Sequence, residues 1–197
     1  MNFSKEEKYL IEKDNKLKKI INKNGPILYK PLKKYQFHTL VEIVVAQFIS
    51  TAAANSIFNN IKRFFNTKYL NECHFQNMEV DKIKKLGIST NKAKTIKELS
   101  NLFLNKNIED LTKLEDDILH EKLLSIFGIG PWSVNMFEIF CIGKLDVFTS
   151  KDAGLRLAMN KAKLVSSGSD WENYDYYAKK WSPYRSIACL HLWKTVD

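Results

Sequence analysis

Apolar residues along this chain recur mostly at intervals of three and four, the spacing of one face of an α-helix. Leu10, Leu17, Ile20 and Ile21 form the first such stripe, in a helix expected over residues 4–24. Ser4 with Glu7 makes a capping box at its start, and Gly25-Pro26 stops it. Residues 39–48 (TLVEIVVAQF) are almost continuously apolar. Their Val and Ile would suit a strand, but the length and the lack of turn-flanked alternation favour a buried helix. The small-residue run Ser50-Thr51-Ala52-Ala53-Ala54 follows, where helices are expected to approach closely. It leads into Ile57, Phe58, Ile61 and Phe64 at helical spacing. A polar loop is expected over 66–77. A short helix over 80–86 then ends on Gly87, and another over 92–103 turns Ile96, Leu99 and Phe103 inward.

Ile118, Leu119, the stem of Lys122, Leu123 and Ile126 mark a further helix, which the turn Phe127-Gly128-Ile129-Gly130-Pro131 interrupts. Each glycine costs a helix roughly 1 kcal/mol and favours positive φ. Pro131 sits where a new helix begins, and its missing N–H costs nothing at that position. Helix, Gly-Ile-Gly turn and helix form a helix-hairpin-helix, whose backbone N–H groups suit a phosphate. An αα-corner with glycines for tight packing fits the same residues. Helices are also expected over 153–162 and 174–181, and over 184–193 following Pro183. No turn dipeptide stands between alternating apolar runs, so the fold expected is all-α, with about ten helices and short loops. Neither internal repeats nor low-complexity tails occur.

The formal net charge of +9 and pI near 9.3 suit a polyanionic partner. The excess is nearly all lysine, since Arg63, Arg156 and Arg185 are the only arginines, and the chain is also rich in Asn and Ile. An AT-rich genome produces the same bias, which weakens the inference. Cys73, Cys141 and Cys189 are odd in number and widely spaced, which supports neither a zinc site nor an iron–sulfur cluster. His38, His74, His120 and His191 have no metal-ligand spacing and read as core or surface residues. Without a long apolar run or a signal peptide, the chain is expected to be soluble, intracellular (cytoplasmic or at the nucleoid), off the membrane and monomeric.

Among the acids, Asp152 stands just before a helix start, where an ionised carboxylate is favoured. A plain N-cap explains that position equally, and Asp146 and Ser150 compete for similar duties. No Ser-His-Asp set, phosphate-binding Gly-Lys loop or paired-carboxylate metal site is visible. Trp132 directly follows the hairpin. The last third of the chain holds Trp171, Tyr174, Tyr176, Tyr177, Trp181, Tyr184 and Trp193. Most of these suit helix packing, and a few could line a slot for a flat, electron-poor ring.

The run FGIGPWSVNMFEIFCIGKLDVFTSKDAGL resembles the helix-hairpin-helix DNA glycosylases, and within them the inducible 3-methyladenine glycosylase subfamily. AQFISTAAANSIF, KIKKLGISTNKAKTIKELS and WSPYRSIACLHLW match further stretches of that subfamily, in the same order, from about residue 37 to 194. The resemblance implies a compact, two-lobed helical fold with the active-site cleft between lobes. One lobe would run over 37–135 and end in the hairpin. The other would join 1–36 to 136–197.

By the same resemblance Asp152 is the catalytic acid, and Trp132 and Trp181 are walls of the base pocket. Met136 and Ala153 stand where relatives have further aromatics. Phe48 is the wedge into the DNA stack, and Gly128, Ile129 and Gly130 grip the backbone. The carbonyls of Leu124, Ile126 and Ile129 would hold a weakly bound monovalent cation beside a phosphate, with no other cofactor required. Trp132 replaces the Schiff-base lysine of bifunctional relatives, so no lyase step is expected. The activity implied is monofunctional excision of alkylated purines (3-methyladenine, 7-methylguanine) from damaged double-stranded DNA, in base excision repair. The alternatives are a glycosylase for a deaminated or oxidised base, and a non-catalytic, structure-specific DNA-binding protein.

Overall fold

A computed structural model describes residues 2–105 and 110–196, and among these every regular element is helical. In chain order the α-helices are α1 (Lys5–Lys13), α2 (Asn15–Asn24), α3 (Gln36–Ala46), α4 (Thr51–Phe64), α5 (Val80–Lys84) and α6 (Thr90–Leu104). They continue with α7 (Asp116–Leu124), α8 (Pro131–Phe137), α9 (Ala153–Lys161), α10 (Trp171–Ala178) and α11 (Arg185–Trp193). The chain divides into two compact units. One is continuous, residues 31–143, and the other joins residues 1–30 to 144–197.

The continuous unit is built on α3. Phe37, Leu40, Val41, Ile43, Val44 and Val45 are all buried, which explains why its sequence shows no polar face. α4, α6 and α8 pack against it. Ser50 caps α4 and Ser89 caps α6, each hydroxyl accepting a backbone N–H of the first turn. α8 runs on through a π-helical turn, Glu138–Ile142, and stops at Gly143, which has φ 86°. This unit covers residues 31–143, where the lobe expected from the sequence runs over 37–135. Leu32 N–H donates to the Phe140 carbonyl at 2.9 Å, and Pro31 fills the space where a Cβ of Gly143 would stand. Residues 31–36 and 136–143 are thereby held within it.

In the discontinuous unit Leu10, Leu17 and Ile21 enter one core with Leu155, Met159, Tyr174, Trp181, Ile187 and Leu192. The single helix expected over 4–24 is two helices. Asp14 breaks it, its Oδ1 accepting the N–H groups of Lys16 and Leu17 to start α2 while its Oδ2 accepts the Trp181 indole N–H at 3.0 Å. Burial alone would raise the Asp14 carboxyl pKa, but these donors and Lys180 hold it below the ordinary value. Glu7 and His191 form a second buried polar pair at 3.1 Å. Glu7 also accepts N–H bonds from Ser4 and Ile27.

The small-residue run differs from expectation. Only Ala54 is buried, and Thr51, Ala52 and Ala53 face solvent. Among the described residues no helix is long and apolar enough to cross a membrane, and no cluster of His, Cys, Asp and Glu could hold a metal ion.

Candidate active site

The hairpin is shaped by Gly128, whose φ of 78° lies in the left-handed region. A Cβ there would stand 2.2 Å from Thr95 Oγ1, so the turn lies directly on the first turns of α6. Ile129 is buried and anchors the turn from inside, while Phe127 and the backbone of Gly128 are exposed. Gly130 is the N-cap of α8 and Pro131 its first residue. No side chain caps that helix start, which leaves a backbone edge suited to a phosphate oxygen.

Beside it, α3 ends at Ala46 and the chain turns through Gln47 and Phe48. Phe48 is fully exposed and has φ 59°. A non-glycine residue in that region costs about 1–2 kcal/mol, and a phenyl ring held in water adds to the cost, the pattern of a residue kept for contact. The Gln47 side-chain amide donates to the Gly128 carbonyl and to Ser133 Oγ, both at 2.9 Å. Lys92 Nζ donates to the Val45 carbonyl at 2.8 Å and so closes the end of α3. On α8, Trp132 is half-buried and Met136 buried, one turn apart on the same side of the helix.

In the discontinuous unit Asp152 is the N-cap of α9, and its buried carboxyl does more than cap. Oδ1 accepts the Leu155 N–H at 2.6 Å and the indole N–H of Trp193 at 3.0 Å. Gly154 makes room for this arrangement. A Cβ on it would lie 3.2 Å from Asp152 Oδ1 and 3.3 Å from Trp193 Cδ1.

The approach to Asp152 is clamped as well. Ser150 Oγ donates to Asp175 Oδ2 at 2.7 Å, the Arg156 guanidinium donates to the Ser150 carbonyl, and Asp152 N–H donates to the Thr149 carbonyl at 3.2 Å. Ser150 therefore supports the loop. Asp146, the other competitor, is held by Arg185 at 2.7 Å and by Ser182 at 2.8 Å. Ala153 is exposed at the start of α9.

Trp181, expected as a wall of the base pocket, is fully buried against Phe148 and Tyr177, with its N–H on Asp14. The tryptophan beside the acid is Trp193. Its signal in the sequence was no more than its place in the WSPYRSIACLHLW run.

Regular elements that are all helical among the described residues, with a glycine hairpin opening one helix and a buried acid opening another, give the architecture of a helix-hairpin-helix DNA-repair protein. Residues 41–183 match the family model of the HhH-GPD superfamily base excision DNA repair proteins, and the chain belongs to that family. It is 27% identical to the alkylbase DNA glycosidase-like protein mag2 of Schizosaccharomyces pombe, over 98% of this chain and 93% of that one. To the DNA-3-methyladenine glycosylase of Saccharomyces cerevisiae it is 26% identical, over 94% of this chain and 77% of that one. The solved 3-methyladenine DNA glycosylase Mag1 of S. pombe, in complex with abasic DNA, superposes with a TM-score of 0.87 at 25% identity. That match covers 98% of this chain and 96% of Mag1.

Proposed function

We propose that this protein is a monofunctional DNA glycosylase that hydrolyses the N-glycosidic bond of alkylated purines, of the 3-methyladenine and 7-methylguanine type, extruded from duplex DNA. The observation that carries the reading is Asp152: a helix-capping carboxylate whose Oδ1 is also held by a tryptophan indole, in a chain of this family. Extruding a base costs a few kcal/mol. Phe48 entering the stack and the Gly128–Gly130 backbone on a phosphate would offset that cost by holding bent DNA.

A purine alkylated at N3 or N7 is cationic and already a good leaving group, so little acid catalysis is needed. As its bond to the sugar breaks, positive charge develops on the sugar. The Asp152 carboxylate stabilises that charge and orients the attacking water. Trp132 supplies an aromatic face on which a cationic base stacks. Because it stands where bifunctional relatives carry an amine, no imine forms and the reaction ends at an abasic site.

The carbonyls of Leu124, Ile126 and Ile129 are neutral oxygens at the hairpin. Ile126 already accepts the Ile129 N–H at 3.1 Å, which leaves that oxygen one lone pair. Such a set suits a weakly held monovalent cation beside a phosphate and no tighter metal.

A second reading is favoured by Met136 and Ala153, which stand where related glycosylases carry further aromatic side chains. It is a glycosylase for a deaminated or oxidised base. The test is single-turnover excision on methylated duplex DNA, with released bases identified by mass spectrometry and Asp152→Asn alongside. Release of 3-methyladenine or 7-methylguanine by the wild type alone is the expected result. DNA binding without release of any alkylated base would sink the substrate class and favour the second reading. Identical behaviour of both proteins on every lesion would indicate a binding protein.

A further inference from the structure

We propose that Gln47 is a positioning residue that locks the Phe48 wedge to the hairpin, so that base unstacking and backbone grip act as one element; this rests on the reading of the chain as a DNA glycosylase. Gln47 uses both hydrogens of its side-chain amide, one on the Gly128 carbonyl and one on Ser133 Oγ, each at 2.9 Å. Gly128 belongs to the hairpin and Ser133 to the first turn of α8. The residue that begins the wedge turn is thus tied to both halves of the phosphate-binding edge.

Phe48 needs such a hold. Its ring is wholly in solvent and its backbone is left-handed, so nothing in its own packing keeps it there. A loop free to relax would yield when the ring met a stacked base, and the work of unstacking would not be delivered. Two supports oppose that relaxation, Gln47 on the hairpin side and Lys92 on the last turn of α3. Lys92 stands one turn from Thr95, the residue packed under Gly128, so the same stretch of α6 braces the wedge turn and the hairpin. A phosphate seated on the hairpin therefore fixes where Phe48 stands, and a ring seated in the stack fixes the hairpin.

The test uses the whole protein and a duplex with a tetrahydrofuran abasic analogue opposite 2-aminopurine, whose fluorescence rises on unstacking. Wild type should raise the signal at saturating protein, and Phe48→Ala should abolish the rise. Gln47→Glu keeps the shape but sets a carboxylate against the Gly128 carbonyl. Its wedged-to-unwedged ratio should fall on the order of tenfold, the scale for losing paired hydrogen bonds. Affinity for undamaged duplex should fall modestly, since the added carboxylate repels a phosphate on the hairpin while its backbone N–H groups stay in place, and the fluorescence is therefore compared at saturating protein. Ser133→Ala keeps one of the two bonds and should fall between, which provides a reading even if Gln47→Glu folds poorly.

A merely structural Gln47 would lower the melting temperature and the affinity together while leaving the saturated signal intact. That result overturns the proposal, as does a full signal from Gln47→Glu. Wild type that binds and unstacks alongside an indifferent Gln47 variant defeats this inference alone. Wild type that neither binds nor unstacks defeats the DNA reading with it.

Discussion

Trp193 Nε1 donates to Asp152 Oδ1 at 3.0 Å, on the same oxygen that accepts the Leu155 N–H at 2.6 Å. An aspartate serving only as a cap needs the second bond and not the first. The indole fixes the carboxylate about its χ2, which matters for an acid that must face one developing charge and matters little for a helix end. Trp193→Phe keeps an aromatic ring and deletes the donor. The single-turnover excision rate should fall on the order of tenfold with half-saturation unchanged, the pattern of a group acting in the transition state. Equal rates would assign Trp193 to packing.

Gly154→Ala separates stability from activity. Alanine gains up to about 1 kcal/mol over glycine within a helix. Its methyl would lie 3.2 Å from Asp152 Oδ1 and 3.3 Å from Trp193 Cδ1, so the indole and the carboxylate must shift by a few tenths of an ångström. The melting temperature should hold or rise while the excision rate drops. A variant with full activity would mean that this contact tolerates the shift.

Trp181→Phe should do the reverse. Deleting its indole N–H strips Asp14 Oδ2 of its 3.0 Å donor and leaves the carboxylate to Lys180 Nζ at 3.8 Å and the Tyr177 hydroxyl. The expected loss is about 1–3 kcal/mol for a buried acceptor left short of a partner, plus a packing defect. Denaturant titration should show the loss, with the single-turnover rate unchanged at a temperature where the variant is folded. A slower rate with intact stability would return Trp181 to the base pocket.

How far the sequence revealed these arrangements depends on how local each one is. The Gly-Ile-Gly-Pro turn and the Asp-Ala helix start are carried by consecutive residues, and both were legible. The helix expected over residues 39–48 was legible as a helix because its apolar run is too long and unbroken for a half-exposed strand, but it runs over Gln36–Ala46 and leaves Gln47 and Phe48 in the turn. The break at Asp14 was not, because the apolar stripe runs across it without a phase change and its deciding partner, Trp181, lies far along the chain. The same holds for Trp193, which meets Asp152 only once α9 and α11 pack together. Thr51, Ala52 and Ala53 misled in another way: small side chains permit close helix packing but do not require it, and here they face water.

His38 gives the continuous unit an acid sensitivity. Burial, with the charge of Lys62 adding, lowers its pKa from 6.5 to about 4, and its Nδ1 accepts the Leu70 N–H at 3.0 Å, which a protonated nitrogen cannot do. The unfolded chain takes the proton below pH 6.5 while the folded one resists until about pH 4, so stability falls as pH drops through that window. The loss should be on the order of 2–3 kcal/mol. His191 is lowered in the same direction, chiefly by burial, so wild type alone does not isolate His38. The difference in unfolding free energy between wild type and His38→Gln, measured at pH 7 and pH 5, should shrink at the lower pH. A constant difference would remove His38 as the source.

The division of the chain also has a consequence for its synthesis. Leu10, Leu17 and Ile21 leave the ribosome early, but the core that buries them is supplied by residues 155–192. The whole of 31–143 is made in between, and that segment carries its own core and can collapse as soon as it emerges. Throughout that interval the first two helices expose an apolar stripe with no place to go. A nascent chain arrested after residue 143 should therefore recruit a holdase through residues 10–21, and one in which residues 155–192 have cleared the ribosome should release it.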